Sequence, residues 1–238
     1  MPRFHPGIEH LASGQRGSLD RAPKILRIFQ SMFSHDSNGG VASFPIVALE
    51  GPSGIGKSRL LDLISEDLIR ADVAFDRCSN NDSGRWSAVI RDLAGAGDRP
   101  FTLALAAAAA RAELREGARQ LQLCDRFVVS TFVYQRFAGV PIDYLYDVNR
   151  PFLKGSTTFV LRLGSEALEE RRRSRPRKSD WFKDRIGTGE EIELYDEAAA
   201  FLRTQGHDVR VVDATLDAMT LSRQLAAEIA AMVQRNSS

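Results

Sequence analysis

Eight residues, Gly51-Pro52-Ser53-Gly54-Ile55-Gly56-Lys57-Ser58, constrain what this chain can fold into more than any other stretch. They match G-x-x-x-x-G-K-[ST]. A short apolar run, 44–50 (FPIVALE), precedes them, and over 57–71 Leu60, Leu61, Leu63, Ile64 and Leu68 recur at helical spacing. A strand that enters a glycine-rich turn and leaves as a helix turns its backbone N–H groups inward, and the helix N-terminus adds partial positive charge. Such a turn suits a phosphate. Lys57 reaches the β and γ phosphates of a nucleoside triphosphate and the Ser58 hydroxyl ligates Mg²⁺. The spacing predicts an ATP site built from Gly51, Ser53, Gly54, Ile55, Gly56, Lys57, Ser58 and Arg59.

Downstream, apolar runs alternate with longer helical patterns. Strands are expected at 73–75, 121–124, 157–163 and 208–212, with helices at 86–93, 101–119, 165–173, 190–204 and 216–234. Parallel strands need crossover connections, so the alternation implies a five-stranded parallel sheet with helices on both faces, a three-layer α/β fold. Ligands of such sheets bind beyond the carboxyl ends of the strands.

The 238 residues allow one sizeable domain with an appendage. Residues 1–43 read as an extension with one amphipathic helix, in which Ile25, Leu26, Ile28, Phe29, Met32 and Phe33 recur at helical spacing; residues 44–238 form the main domain. Lys plus Arg number 32 against 31 acidic residues, a net charge of +1, so no global field draws the chain to nucleic acid or an anionic membrane. No stretch is apolar for long enough to span a bilayer and no secretory leader is visible, so a cytoplasmic location is expected. The two cysteines, Cys78 and Cys124, are expected to be small buried hydrophobes in a reducing compartment. The four histidines lack metal-ligand spacing.

A second motif, Asp125-Arg126-Phe127 followed by Ser130, Thr131, Tyr134 and Gln135, begins at the end of the third strand candidate. An Asp there is placed to hold Mg²⁺ or its waters, and Arg126 and Arg77 can each grip a phosphate bidentately. About 70 residues after the phosphate loop, this pattern resembles the thymidylate kinase family, over roughly Pro45 to Val233. The resemblance implies a P-loop kinase domain that transfers the ATP γ-phosphoryl to a nucleoside monophosphate, nominally dTMP. It further implies that Arg77 and Arg126 bind the acceptor phosphate, that Arg111 contacts the base, and that Thr131, Tyr134 and Gln135 line the acceptor site.

Residues 169–185 hold six Arg and two Lys against four acidic residues, a local net of +4. Pro176 and Ser179 interrupt helicity, so the segment is expected to be a loop above the phosphates, an arginine-rich lid. The loop Gly51–Gly56 carries no arginine of its own, and by resemblance Arg171 and Arg175 supply the charge that stabilises the transferring phosphoryl. Lys57 and Asp125 complete the expected catalytic set, with Ser58 and Asp125 as metal ligands.

Three positions depart from the family pattern. Ser53 stands where the family has an acidic residue contacting the acceptor sugar, Ala107 where a Phe stacks on the base, and Arg162 where an Asp is usual. A stacked base is worth about 1–3 kcal/mol that Ala107 cannot supply. Two alternatives therefore stay open: a kinase for a modified nucleotide or another small metabolite, and a non-catalytic nucleotide-binding protein. Helices on a parallel sheet also suit a two-fold homodimer.

Overall fold

In a computed structural model of the protein, residues 44–79, 85–174 and 185–236 are described. The expected helix near residues 25–33 and the candidate Arg175 lie outside them.

β1 (Ile46–Glu50) is buried at every position and alternates its side chains between two cores. Ile46 and Ala48 face one layer, Val47 and Leu49 the other, as a strand's period of two requires. After the phosphate loop comes α1 (Lys57–Arg70), whose Leu60, Leu61, Ile64 and Leu68 are buried. Then follow β2 (Phe75–Ser79), α2 (Trp86–Ala96), α3 (Pro100–Gly117), β3 (Leu121–Asp125), α4 (Val129–Phe137) and α5 (Ile142–Leu153). The chain continues through β4 (Ser156–Arg162), α6 (Ser165–Arg173), α7 (Thr188–Thr204), β5 (Asp208–Asp213) and α8 (Ala218–Asn236).

All strand pairs are parallel and the order is β2-β3-β1-β4-β5. The expected α/β sheet is what forms. α1 packs on α8 in the layer that takes Val47 and Leu49, while α3, α4, α5 and α7 contribute to the layer that takes Ile46 and Ala48. β1 is the centre of the sheet, with β3 and β4 on either side, so the chain leaves its carboxyl end at the switch point where a crevice opens. The register puts Asp125 opposite Leu49 on one side and Ser79 on the other.

Several local expectations are corrected. β2 runs 75–79, later than 73–75, because an edge strand pairs on one side only and needs no apolar run. Gln120 and Gln122 clasp its Asp76 at 2.7 and 2.9 Å. The helix α5 lacks a sequence expectation: Asn149 and Pro151 break its pattern, yet Leu145, Phe152 and Leu153 are buried and Asn149 is fully enclosed. Arg162 ion-pairs with Asp196 of α7 at 2.9 Å, an exposed contact of small energetic weight. Cys78 and Cys124 are register partners on β2 and β3 and form a disulfide, Cα atoms 4.5 Å apart. The expectation of two free, reduced hydrophobes is overturned, because spacing along the chain gives no sign that parallel pairing brings the two residues side by side. No helix among the described residues is long and apolar enough to cross a membrane.

Candidate nucleotide-binding and acceptor site

Gly51 leaves β1 with φ +135°, and a Cβ there would stand 2.8 Å from the Leu161 carbonyl oxygen, so the first loop position admits only glycine. Gly54 has φ +84°, and a Cβ there would meet the Arg172 side chain at 2.9 Å. Ile55 is buried beneath the loop, while Ser58 and Arg59 are exposed on the first turn of α1.

Lys57 is buried, and its Nζ donates to the carbonyls of Gly51 (2.8 Å) and Pro52 (2.9 Å). Burial pushes its pKa down to about 7, helped by the Arg126 charge and opposed by Asp125, Glu50 and Glu191. The Ser58 hydroxyl donates to Asp125 Oδ2 at 3.0 Å. A hydroxyl and a carboxylate thus converge beside the lysine, a donor set that fits Mg²⁺, which keeps waters and takes its remaining ligands from phosphates. Among the described residues no group of three or more His, Cys, Asp or Glu could hold a metal ion.

Arg126 follows Asp125 with φ +68°, a left-handed backbone that a bulky residue adopts only where the surroundings enforce it. Its N–H donates to the Leu49 carbonyl at 3.0 Å. The guanidinium donates to Tyr195 Oη, lies 5.3 Å from the Tyr134 ring centroid and 3.8 Å from Glu50 Oε2. Glu50, the last residue of β1, is fully buried. Its Oε1 accepts from the backbone N–H groups of Phe127 (2.7 Å) and Ser130 (3.1 Å), fixing the turn that presents Arg126. In the sequence Glu50 is only the end of an apolar run. A charged residue closing a buried strand was the signal that it serves the site.

Arg77 and Arg126 line one cavity of about 630 Å³ with Ser58 and Asp125. The Arg77 guanidinium bonds Asp62 Oδ1 at 2.8 Å and Ser65 Oγ at 3.3 Å, so it sits over α1 on the cavity's flank. The expected acceptor residues otherwise divide. Tyr134 faces the site and donates from Oη to Glu191 Oε1 at 2.8 Å. Gln135 is buried with no hydrogen-bond partner for Oε1 among the described residues. Thr131 is buried and accepts from Arg111. Arg111 itself is fully enclosed: Nε donates to the Phe127 carbonyl at 2.8 Å and Nη1 to Asn149 Oδ1 at 2.6 Å. Burial pushes its pKa down to about 10. In this arrangement Arg111 ties α3 to the loop after β3, α4 and α5.

Arg171 donates to the carbonyls of Ile55 (2.8 Å) and Ala214 (3.0 Å), so it joins the loop to the segment after β5. Its neighbour Arg172 donates from Nε to the Ser53 carbonyl at 2.9 Å and ion-pairs with Glu191. Neither Arg172 nor Glu191 was singled out from sequence. The arginine run offers three adjacent candidates, and Glu191 resembles any acidic residue in the first turn of a helix.

A parallel α/β sheet whose central strand ends in this loop, with a lysine, a hydroxyl–carboxylate pair and a half-buried arginine around it, defines a P-loop nucleotide-binding protein. The thymidylate kinase family profile matches residues 49–219, and the chain belongs to that family. It is 33% identical over 143 residues to the thymidylate kinase of Symbiobacterium thermophilum, covering 53% of this chain and 66% of that one. It is 34% identical over 109 residues to a probable thymidylate kinase of Methanococcus maripaludis, 43% of this chain and 52% of that one. The probable thymidylate kinase of Pyrobaculum calidifontis is 28% identical over 202 residues, 79% of this chain and 95% of that one. The chain thus spans just under two thirds and about half the length of the first two relatives.

Proposed function

We propose that the protein is an ATP-dependent nucleoside monophosphate kinase, nominally converting dTMP to dTDP. The observation that carries this reading is the one cavity lined together by the Ser58–Asp125 pair, Arg126 and Arg77, with the buried Lys57 next to Ser58 and within electrostatic reach of Asp125 and Arg126. In the reaction an oxygen of the acceptor phosphate attacks the γ-phosphorus of ATP and the bond to the β,γ-bridging oxygen breaks, releasing ADP. At neutral pH the acceptor phosphate is already largely dianionic, so no general base is required. Mg²⁺, when bound, supplies charge neutralisation on the β and γ phosphates.

Lys57 leaves the loop carbonyls to reach the triphosphate, while Ser58 and Asp125 would hold the metal. Arg126, fixed by Glu50, Tyr134 and Tyr195, grips the acceptor phosphate, with Arg77 able to join it by giving up Asp62. Arg171 and Arg175 are proposed for the transition-state charge. Catalysis is then positioning and electrostatics. The division at residue 43, a homodimeric state and a cytoplasmic location belong to the same proposal.

One set of observations favours a different acceptor within this reaction class. Ser53 and Ala107 lack the charge and the ring the family pattern carries, and the Arg111 guanidinium is engaged by Phe127, Asn149 and Thr131. Initial rates with ATP against a panel of monophosphates and the matching nucleosides test both levels. Transfer to dTMP above all others supports the nominal reading, transfer to another acceptor redirects it, and ATP binding without transfer to any of them overturns the kinase reading.

A further inference from the structure

Glu191 lies on α7, 138 residues from Ser53, yet its carboxylate is where the phosphate loop, α4 and α6 meet. The residue is 3% exposed. Oε1 accepts from the Ser53 backbone N–H at 3.0 Å and from Tyr134 Oη at 2.8 Å; Oε2 pairs with Arg172. Arg172 in turn donates to the Ser53 carbonyl at 2.9 Å and to Thr188 Oγ1 at 2.9 Å. Both backbone polar groups of Ser53 are therefore taken, one by each member of a single ion pair, and the three residues close a ring.

Burying a carboxylate costs several kcal/mol unless donors surround it, and here three donors from three elements do so. The loop's own sequence cannot supply this restraint, because Ser53 is neutral and three of its neighbours within three residues, Gly51, Gly54 and Gly56, are glycines. Tyr134 is the residue on whose face the Arg126 guanidinium rests, so the same Oε1 that holds the loop tip also holds the wall against which Arg126 is placed. A single carboxylate oxygen thereby sets the separation between the donor loop and the acceptor wall.

We propose that Glu191 is a positioning residue for phosphoryl transfer, which with Arg172 holds Ser53 and Tyr134 at a fixed spacing so that donor and acceptor phosphates meet in line. The inference rests on the kinase reading above. In-line transfer is sensitive to displacements of about 1 Å, which can cost on the order of 10² in rate. The role predicts a loss in kcat and in acceptor KM while ATP, held mainly by Lys57 and the loop amides beyond Ser53, is bound nearly as before.

The test uses the full chain as Glu191→Gln, Arg172→Gln and the double variant. Gln keeps an oxygen for Ser53 and nearly the same volume, so the fold is retained, and it removes the ion pair. Expected for each single variant is a fall in kcat of tenfold or more, a rise in acceptor KM, and an ATP KM within threefold of the parent. The double variant is expected to be no worse than the poorer single one, since either change opens the same ring. Equal loss for ATP and acceptor, or additive losses in the double variant, would overturn the assignment. Hydrogen exchange of the 51–56 loop peptide is read in parallel and needs no turnover. Faster exchange in both single variants supports the ring even if the parent phosphorylates none of the acceptors offered, and unchanged exchange sinks it independently of the kinase reading.

Discussion

Lys57 carries the largest consequence of burial at the level of a single residue. Its pKa of about 7 against an ordinary 10.5 means that the unfolded chain holds the extra proton between those values. Stability from this group therefore rises with pH through that window, since unfolding must take up the proton. On the proposed reading ATP binding should have the opposite dependence, because the triphosphate would recruit the ammonium form. At pH 8, where free ATP is fully deprotonated, binding should take up close to one proton, measured by calorimetry in two buffers of different ionisation enthalpy. A heat independent of the buffer would contradict this. For Asp125, substitution by Asn keeps the partner of Ser58 in shape but removes the charge, and kcat should fall by on the order of 10² or more in a coupled assay. Lys57, Ser58 and Asp125 were legible in sequence because each sits at a fixed offset from the end of a strand. Glu50, Arg172 and Glu191 were not, since their partners lie between 16 and 138 residues away and no spacing rule links them.

Among the elements, the helices flanking the acceptor side depend on Arg111. Its guanidinium satisfies the Phe127 carbonyl, Asn149 and Thr131, so it fastens the loop after β3 and α4 and α5 to α3. Arg111→Met retains much of the volume and leaves those three acceptors unpaired; unfolding by urea should show a loss of about 2–4 kcal/mol. If stability is unchanged and acceptor affinity collapses instead, the arginine reaches the acceptor after all. The helix α5 that supplies Asn149 was illegible for a related reason: its buried polar residue and Pro151 interrupt the apolar period, and only the partner on α3 explains the asparagine. The amphipathic α1 and the buried β1 were legible because periodicity alone determines which face they bury.

For the whole molecule, the disulfide joins the edge strand β2 to β3 next to the cavity that holds Asp125 and Arg126. Alkylation of the denatured but unreduced protein should label neither cysteine, and labelling after reduction should reach both. Closing 46 residues of chain, the bond should contribute roughly 2–4 kcal/mol, so thermal unfolding should come earlier after reduction. Free thiols in the unreduced protein would remove this contribution. The alternation of strands and helices, the phosphate loop and the Asp-Arg motif were enough to identify the fold and the family, because local periodicity and short-range spacing are properties of the chain itself. The acceptor wall, the carboxylates of Glu50 and Glu191, the enclosure of Arg111 and the pairing of the cysteines were decided only by the tertiary structure. Each depends on which distant residues a parallel sheet sets side by side, and a buried charge reveals its purpose only through the partner that neutralises it.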